Sequence, residues 1–215
     1  MQAKDINVKH YLFDFDGTLV DSMGHWSGAM IDLMDKYGLK YPKDVISIIT
    51  PLGTEKTCEY MIELGLPLTK EQFKIEINDI LQVKYHKEIV LKPFVKEKLL
   101  ELKSNGKHLH VLTASPHIWL DGCLKRNGIY ELFDNVWSGD DFGTSKTNPV
   151  IYGEVAKRIN ANVNEIAFLD DNVYADKAAV QAGVYAIGVY DKTSEKDRKL
   201  FDEICHAFIN DFSEL

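Results

Sequence analysis

The chain has 215 residues, 45% of them hydrophobic and 27% charged, with a formal net charge of −8. That is enough chain for one buried core, alone or carrying an inserted subdomain, and an ordinary composition for a globular protein. The acidic balance argues against non-specific binding to nucleic acid or to an anionic membrane, both of which need an excess of Lys and Arg. An anionic small substrate stays compatible with it, because a local cation can reverse the field in one cleft. The three cysteines, Cys58, Cys123 and Cys205, are far apart and show no CxxC or metal-ligand spacing, as expected of reduced thiols in a cytoplasmic protein. The opening MQAKDIN lacks an apolar signal core. No uninterrupted apolar stretch approaches the ~20 residues needed to cross a bilayer.

The first predicted strand leads into HYLFDFDGTLVDS, His10–Ser22. Val8, Tyr11, Leu12 and Phe13 read as buried, and the strand stops at an Asp-x-Asp-Gly-Thr turn. Two acids held that close at a strand end repel each other and need a cation or a proton between them. Asp14 would act as nucleophile or metal ligand, and Asp16 as acid or base beside it. Gly17 supplies the tight turn, and Thr18 is expected to fix it by a local hydrogen bond. That arrangement suits phosphoryl transfer through an aspartyl-phosphate with Mg2+. Asp and Gly are also ordinary turn formers. An EF-hand loop begins Asp-x-Asp too, but its twelfth position here is His25 rather than a bidentate Glu.

From residue 21 to 89 the pattern is helical. Trp26, Ala29, Met30, Leu33, Met34 and Tyr37 recur at helix spacing and Gly38 closes that helix. A shorter helix runs from Lys56 to Leu64 and ends at Gly65. Thr69 and Gln72 form a capping-box signature ahead of Phe73, Ile77, Ile80, Leu81 and Tyr85. Beyond residue 90 helices and strands alternate. A helix runs from Pro93 to Ser104, then a strand from His108 to Leu112. The next helix is opened by Ser115-Pro116 and closed by Asn127-Gly128, and a short strand lies at Val136-Trp137. A helix opened by Asn148-Pro149 reaches Ile159. A strand follows at Glu165–Leu169, then a helix to Ala182 and a strand at Tyr185–Val189. The expected fold is α/β: a doubly wound parallel sheet from residues 1–20 and 90–215, with an all-helical insert, 21–89, after the first strand. In such sheets ligands bind at the carboxyl ends of the strands.

Three further strand ends carry chemistry. Thr113 in LTAS offers a hydroxyl just before a helix N-terminus, a combination that cradles phosphate, with Ser115 expected to cap the helix. Lys146, in the loop GTSKTNP, would neutralise phosphate charge and hold the nucleophilic carboxylate. Asp170-Asp171-Asn172 again places adjacent acids at a buried strand end. Mg2+ takes few carboxylates and several waters, so Asp14, the backbone carbonyl of Asp16, and Asp171 would supply three oxygens. Taken singly, each also reads as a helix cap, a solvated lysine or an Asx turn.

With these four segments in place the chain resembles the haloacid dehalogenase (HAD) superfamily of phosphatases, over essentially its whole length. DFDGT matches the first motif, LTAS the second, Lys146 in SGDDFGTSKTNPVIY the third and FLDDNVYAD the fourth. The loop before Lys146 and the KTNPxIY run resemble the phosphoglycolate-phosphatase and beta-phosphoglucomutase-like branch, and the helical insert resembles that branch's small cap. The resemblance implies that Asp14 becomes phosphorylated. It implies that Asp16 protonates the leaving oxygen and then activates water, and that Thr113 and the Ala114 amide bind the transferring phosphoryl. Lys146 would stabilise its charge, Asp171 would ligate Mg2+, and Asp170 would be a ligand or a supporting partner. Asp176 falls on a more variable position, and Ala175 stands where the branch usually has Gly. The dehalogenases lack the acid equivalent to Asp16, so its presence favours phosphoryl transfer.

Specificity is expected in the cap, which in this family closes over the sheet edge. His25, Trp26 and Lys56 are the candidate substrate contacts, and Leu19–Ser22 and Val90–Phe94 the candidate hinges. The expected activity is that of a Mg2+-dependent, cytoplasmic phosphatase of small phosphorylated metabolites, monomeric or homodimeric. A phosphosugar mutase is the alternative. Its cap-hinge His would fall on Trp26, next to His25, and a one-residue shift turns a helical side chain by about 100°. A receiver-like phospho-accepting regulator also uses an Asp, a Thr and a Lys, but a long insert after the first strand does not suit it.

Overall fold

The structure, a computed structural model, describes residues 3–49 and 52–215. Met1 and Gln2 of the polar opening, and Thr50 and Pro51 within the expected insert, lie outside the described residues. The chain divides into two compact units, Met1–Asp21 with Val90–Leu215, and Ser22–Ile89.

In the first unit, β1 (His10–Phe13), β2 (His108–Thr113), β3 (Asn135–Ser138), β4 (Ile166–Asp170), β5 (Tyr185–Val189) and β6 (Ala207–Ile209) form one sheet in the order β3-β2-β1-β4-β5-β6. Every pairing is parallel. The order reverses direction at β1, so the crevice between the carboxyl ends of β1 and β4 is the switch point where doubly wound sheets hold ligands. β4 is buried along its length, and β1, β2 and β5 are buried at all but their first residue. Strands covered on both faces carry continuous apolar runs of this kind. On one face Leu12, Leu112 and Phe168 pack with Tyr152 and Val155 of α7 (Val150–Arg158) and with Ala175, Ala178 and Ala179 of α8 (Val173–Gln181). On the other, Phe13 meets Phe133 edge-on and stacks on Phe212. α5 (Val95–Ser104) packs on β2, and α6 (His117–Arg126) connects β2 to β3.

The second unit is helical throughout its described part: α1 (Met23–Lys36), α2 (Val45–Ile49), α3 (Gly53–Glu63) and α4 (Lys70–Lys87). Gly38 and Gly65 close α1 and α3 at φ of 64° and 101°, conformations that glycine adopts without strain. Thr69 and Gln72 form the capping box of α4, at 3.2 Å and 2.9 Å. The stripe Phe73, Ile77, Leu81 and Tyr85 is buried, as are Ala29, Met30, Leu33 and Met34 of α1.

Three differences from the sequence reading stand out. α5 begins at Val95 rather than Pro93, because Phe94, at φ 64°, is left-handed. α2 is too short to show a helical period. Beyond Val189 the chain adds α9 (Arg198–Ile204) and β6, whose three residues are placed by pairing Ile187 with Ala207 rather than by any alternation of their own. Among the described residues no helix is long and apolar enough to cross a membrane, and none of the three cysteines forms a disulfide.

Candidate active site

Parallel pairing of β1 with β4 sets Phe13 opposite Leu169, and the Asp14 amide donates to the Leu169 carbonyl at 2.9 Å. Asp14 and Asp170 therefore leave the sheet side by side. After Asp14 the chain folds into a tight turn: Leu19 N–H bonds the Phe15 carbonyl at 2.9 Å, and Gly17 N–H the Val20 carbonyl at 3.0 Å. Gly17 is required twice over. Its φ is +74°, and a Cβ there would sit 2.7 Å from Asp171 Cγ. The Thr18 hydroxyl does not hold this turn as expected. It is buried and has no hydrogen-bond partner among the described residues, and backbone bonds fix the turn instead.

Lys146 reaches the same point from the loop after β3. Its side chain is 11% exposed, and its ammonium contacts Asp14 Oδ1 directly and bonds Asp170 Oδ2 at 2.7 Å. The loop is fastened from beneath by the Tyr152 hydroxyl, 2.9 Å from the Lys146 carbonyl and 3.0 Å from that of Ala175. Sequence reasoning did not single out Tyr152, although it ends the KTNPVIY run. Asp170 Oδ1 accepts from the Asn172 amide at 2.8 Å, and Asn172 Oδ1 from the Tyr174 amide at 3.0 Å, so the Asx turn and the helix cap at this strand end are both present.

One oxygen from each of Asp14, Asp170 and Asp171 lies within 4.8 Å of the others, and all three residues are buried. Burial pushes the Asp14 carboxyl up to about 8, helped by the charge of Asp170 and opposed by Lys146. Burial, then Asp170 and Asp14, raise Asp171 well above the usual carboxylate range. Burial pulls the Lys146 ammonium down, but Asp14 and Asp170 outweigh it and leave its pKa above the ordinary lysine value. Three carboxylates facing one ammonium call for protons or a further cation. Hard oxygen donors packed this closely fit a small divalent ion.

β2 ends at Thr113, which is buried, followed by exposed Ala114. The Thr113 hydroxyl accepts from the Ser115 amide at 3.0 Å. Ser115 does not cap α6, whose N-cap is Pro116; its hydroxyl instead donates to Asp16 Oδ2. Thr113, Asp16 and Ser115 are thereby linked, a connection between first and second motifs that no local sequence signal reveals. Two residues on, His117 lies 3.0 Å from both Asp121 and Asp141 through its two ring nitrogens. Those hydrogen bonds raise its pKa, and they tie α6 to the loop that leads to Lys146.

A family model for haloacid dehalogenase-like hydrolases matches residues 11–189. The chain belongs to this family. It is 28% identical over 197 residues to a phosphoglycolate phosphatase of Colwellia psychrerythraea, covering 88% of this chain and 85% of that one. It is 28% identical over 222 residues to a glyceraldehyde 3-phosphate phosphatase of Methanothermobacter thermautotrophicus, covering 97% and 98%. A crystal structure from Thermotoga maritima, described provisionally as a beta-phosphoglucomutase, superposes with a TM-score of 0.83 at 23% identity and 96% coverage of both chains. That likeness establishes the fold.

Of the remaining candidates of this hydrolase, three are in the helical unit and one is on α8. His25, Trp26 and Lys56 belong to the helical unit. His25 Nδ1 is 3.6 Å from Glu88, the Trp26 indole donates to the Tyr85 hydroxyl at 3.0 Å, and Lys56 is exposed. Asp176, on α8, is fully buried. Its Oδ2 accepts from the Cys205 thiol at 3.3 Å, and Oδ1 has no hydrogen-bond partner among the described residues. Burial, and then the charge of Asp170, raise its pKa well above the carboxylate range. The folded protein thus holds this proton more tightly than the unfolded chain does, and stability falls as pH rises above the ordinary carboxylate value. Asp176→Asn is expected to raise stability at pH 8 by about 1–3 kcal/mol and to flatten its decline between pH ~4 and 8. Urea unfolding across that range measures both, and an unchanged slope would show that Asp176 does not carry it.

Proposed function

We propose that the chain is a Mg2+-dependent phosphatase of small phosphorylated metabolites, working through a phosphate ester of Asp14 in the cytoplasm. Family membership and the phosphatase names of its relatives make it a phosphoric monoester hydrolase. The observation that carries the finer reading is the buried Asp14 carboxylate, gripped by Lys146 and flanked by Asp170 and Asp171 at the switch point of the sheet.

In this reading Asp14 attacks phosphorus. The Thr113 hydroxyl and the Ala114 amide hold the oxygens of the transferring group, and Lys146 offsets its charge while fixing the nucleophile. Asp16, oriented by Ser115, gives a proton to the departing oxygen and then takes one from the water that cleaves the ester of Asp14. Asp14, the backbone carbonyl of Asp16, and Asp171 would hold Mg2+. Asp170, whose oxygens accept from Lys146 and Asn172, would be a further ligand or a supporting partner. Bound Mg2+ supplies the positive charge that lets a carboxylate approach an anionic phosphate. His25, Trp26 and Lys56 would contact the rest of the substrate. With its indole N–H already donated to Tyr85, Trp26 would offer an apolar ring face.

The test is inorganic phosphate release from a panel of phosphorylated metabolites, with Mg2+ and with chelator. Release that requires Mg2+ is the expected result. An isomerised sugar phosphate accumulating without phosphate release would replace this reading by the mutase. A stable phosphoprotein without turnover would replace it by a phospho-accepting regulator.

A further inference from the structure

The two segments that border the helical unit run side by side in the core. Val20 and Leu91 form an antiparallel bridge. Asp21 N–H bonds the Val90 carbonyl at 3.0 Å, and Lys92 N–H the Leu19 carbonyl at 3.0 Å. From this ladder the Lys92 side chain turns inward. Its ammonium donates to the Gly17 carbonyl at 2.6 Å, to the Tyr190 carbonyl, and to Asp191 Oδ2 at 3.3 Å. An ammonium has three protons, and here each has an acceptor. The charge is sunk, with Lys92 and Asp191 side chains 12% and 6% exposed. Asp191 is itself held, its other oxygen accepting from the Thr193 amide at 2.9 Å and hydroxyl at 2.7 Å.

We propose that Lys92 is a positioning residue for the Asp14–Thr18 turn, clamping the Gly17 carbonyl to the end of β5 so that Asp16 is held in line for proton transfer. The inference rests on the roles proposed above for Asp14 and Asp16. Lys92 grips the turn at two places, through its backbone at Leu19 and through its side chain at Gly17. The turn cannot settle elsewhere without consequence, because Gly17 lies directly against Asp171. Removing the ammonium strips two carbonyls of their donor, and the turn must shift toward water to recover one. A displacement near 1 Å in a catalytic group can lower a rate by about 100-fold. No motif marks Lys92. Its partners lie some 75 and 99 residues away in the chain, so only the fold assembles the clamp.

Lys92→Met in the full chain tests this through two readouts. The first is deuterium exchange, which should quicken by about tenfold or more in peptides spanning residues 13–22 and stay unchanged across 108–126. The second compares phenyl phosphate, whose leaving group needs a proton, with p-nitrophenyl phosphate, whose leaving group does not. The kcat on phenyl phosphate should fall by about 10- to 100-fold and that on p-nitrophenyl phosphate by less, with KM within about twofold for both. Equal losses on the two substrates, or unchanged exchange at 13–22, would overturn the proposal. If Lys92→Met does not fold, Asp191→Asn keeps both carbonyl acceptors and should give the same pattern at a roughly threefold to tenfold loss. If the wild type releases no phosphate, the catalytic reading fails, and exchange at 13–22 alone decides whether the clamp exists.

Discussion

Asp14→Asn is expected to lower phosphate release from every substrate by at least about 1,000-fold, while the chain stays folded. The amide is nearly isosteric but is no nucleophile toward phosphorus. Acid-quenched wild-type enzyme should carry phosphate on Asp14 during turnover, and the variant should carry none; mass spectrometry of the quenched protein checks this. The variant should also differ in stability. Burial and the charge of Asp170 push the folded Asp14 carboxyl up to about 8. In Mg2+-free buffer the wild type therefore loses stability as pH rises from the ordinary carboxylate value toward about 8. Asn carries no such proton, so its unfolding midpoint should vary less over that window. Retention of activity within about tenfold would remove Asp14 from the nucleophile's role.

Lys146→Met should lower turnover by about 100- to 1,000-fold, the cost of removing one preorganised partner of the transferring charge. It should also lower stability at neutral pH by about 3–5 kcal/mol, because Asp14 and Asp170 are left buried without their shared cation. The sign of the pH dependence separates this from a mere packing defect. Without Lys146 both carboxyls hold their protons more tightly in the folded state, so the deficit should shrink as pH falls. In the wild type the raised pKa of Lys146 keeps its ammonium charged throughout the neutral range, and the contribution of that charge is lost only above the ordinary lysine value. Urea unfolding of both proteins at pH 5 and pH 8 measures the difference. A deficit equal at the two values would mean that volume, not charge, was lost.

Much of the fold was legible because its signals are local. Asn105-Gly106 and Asn127-Gly128 stop α5 and α6 where expected, and Gly106 and Gly128 are both at positive φ. Thr69 with Gln72 marks the start of α4 to the residue. What escaped were elements defined by pairing: β6 exists because it lies along β5, and α2 spans barely more than one turn. The candidate site divides in the same way. Asp14, Asp170 and Asp171 stand out as acids at strand ends, and Lys146 as a lysine in the loop after β3. Ser115 looked like a cap, and its bond to Asp16 spans 99 residues of chain, which no pattern of neighbours can disclose. Tyr152 and Lys92 hide for a similar reason. A tyrosine on an apolar helix face and a lysine before a proline are unremarkable until the carbonyls they reach are known.

The central place of β1 bears on how the protein is made. Its two neighbours begin at His108 and Ile166, so neither edge of this first strand can pair until roughly 100 and then 150 further residues have been synthesised. At ribosomal speeds the wait for β2 is on the order of 10 s, during which the apolar segment Tyr11–Phe13 has no edge to join. The contacts between α1 and α4, by contrast, lie within Ser22–Ile89 and can form meanwhile. A nascent chain arrested between β2 and β4 would present an open strand edge and an Asp14 turn with no Asp170 beside it. Such a chain would be prone to aggregate and unable to assemble the acidic cluster.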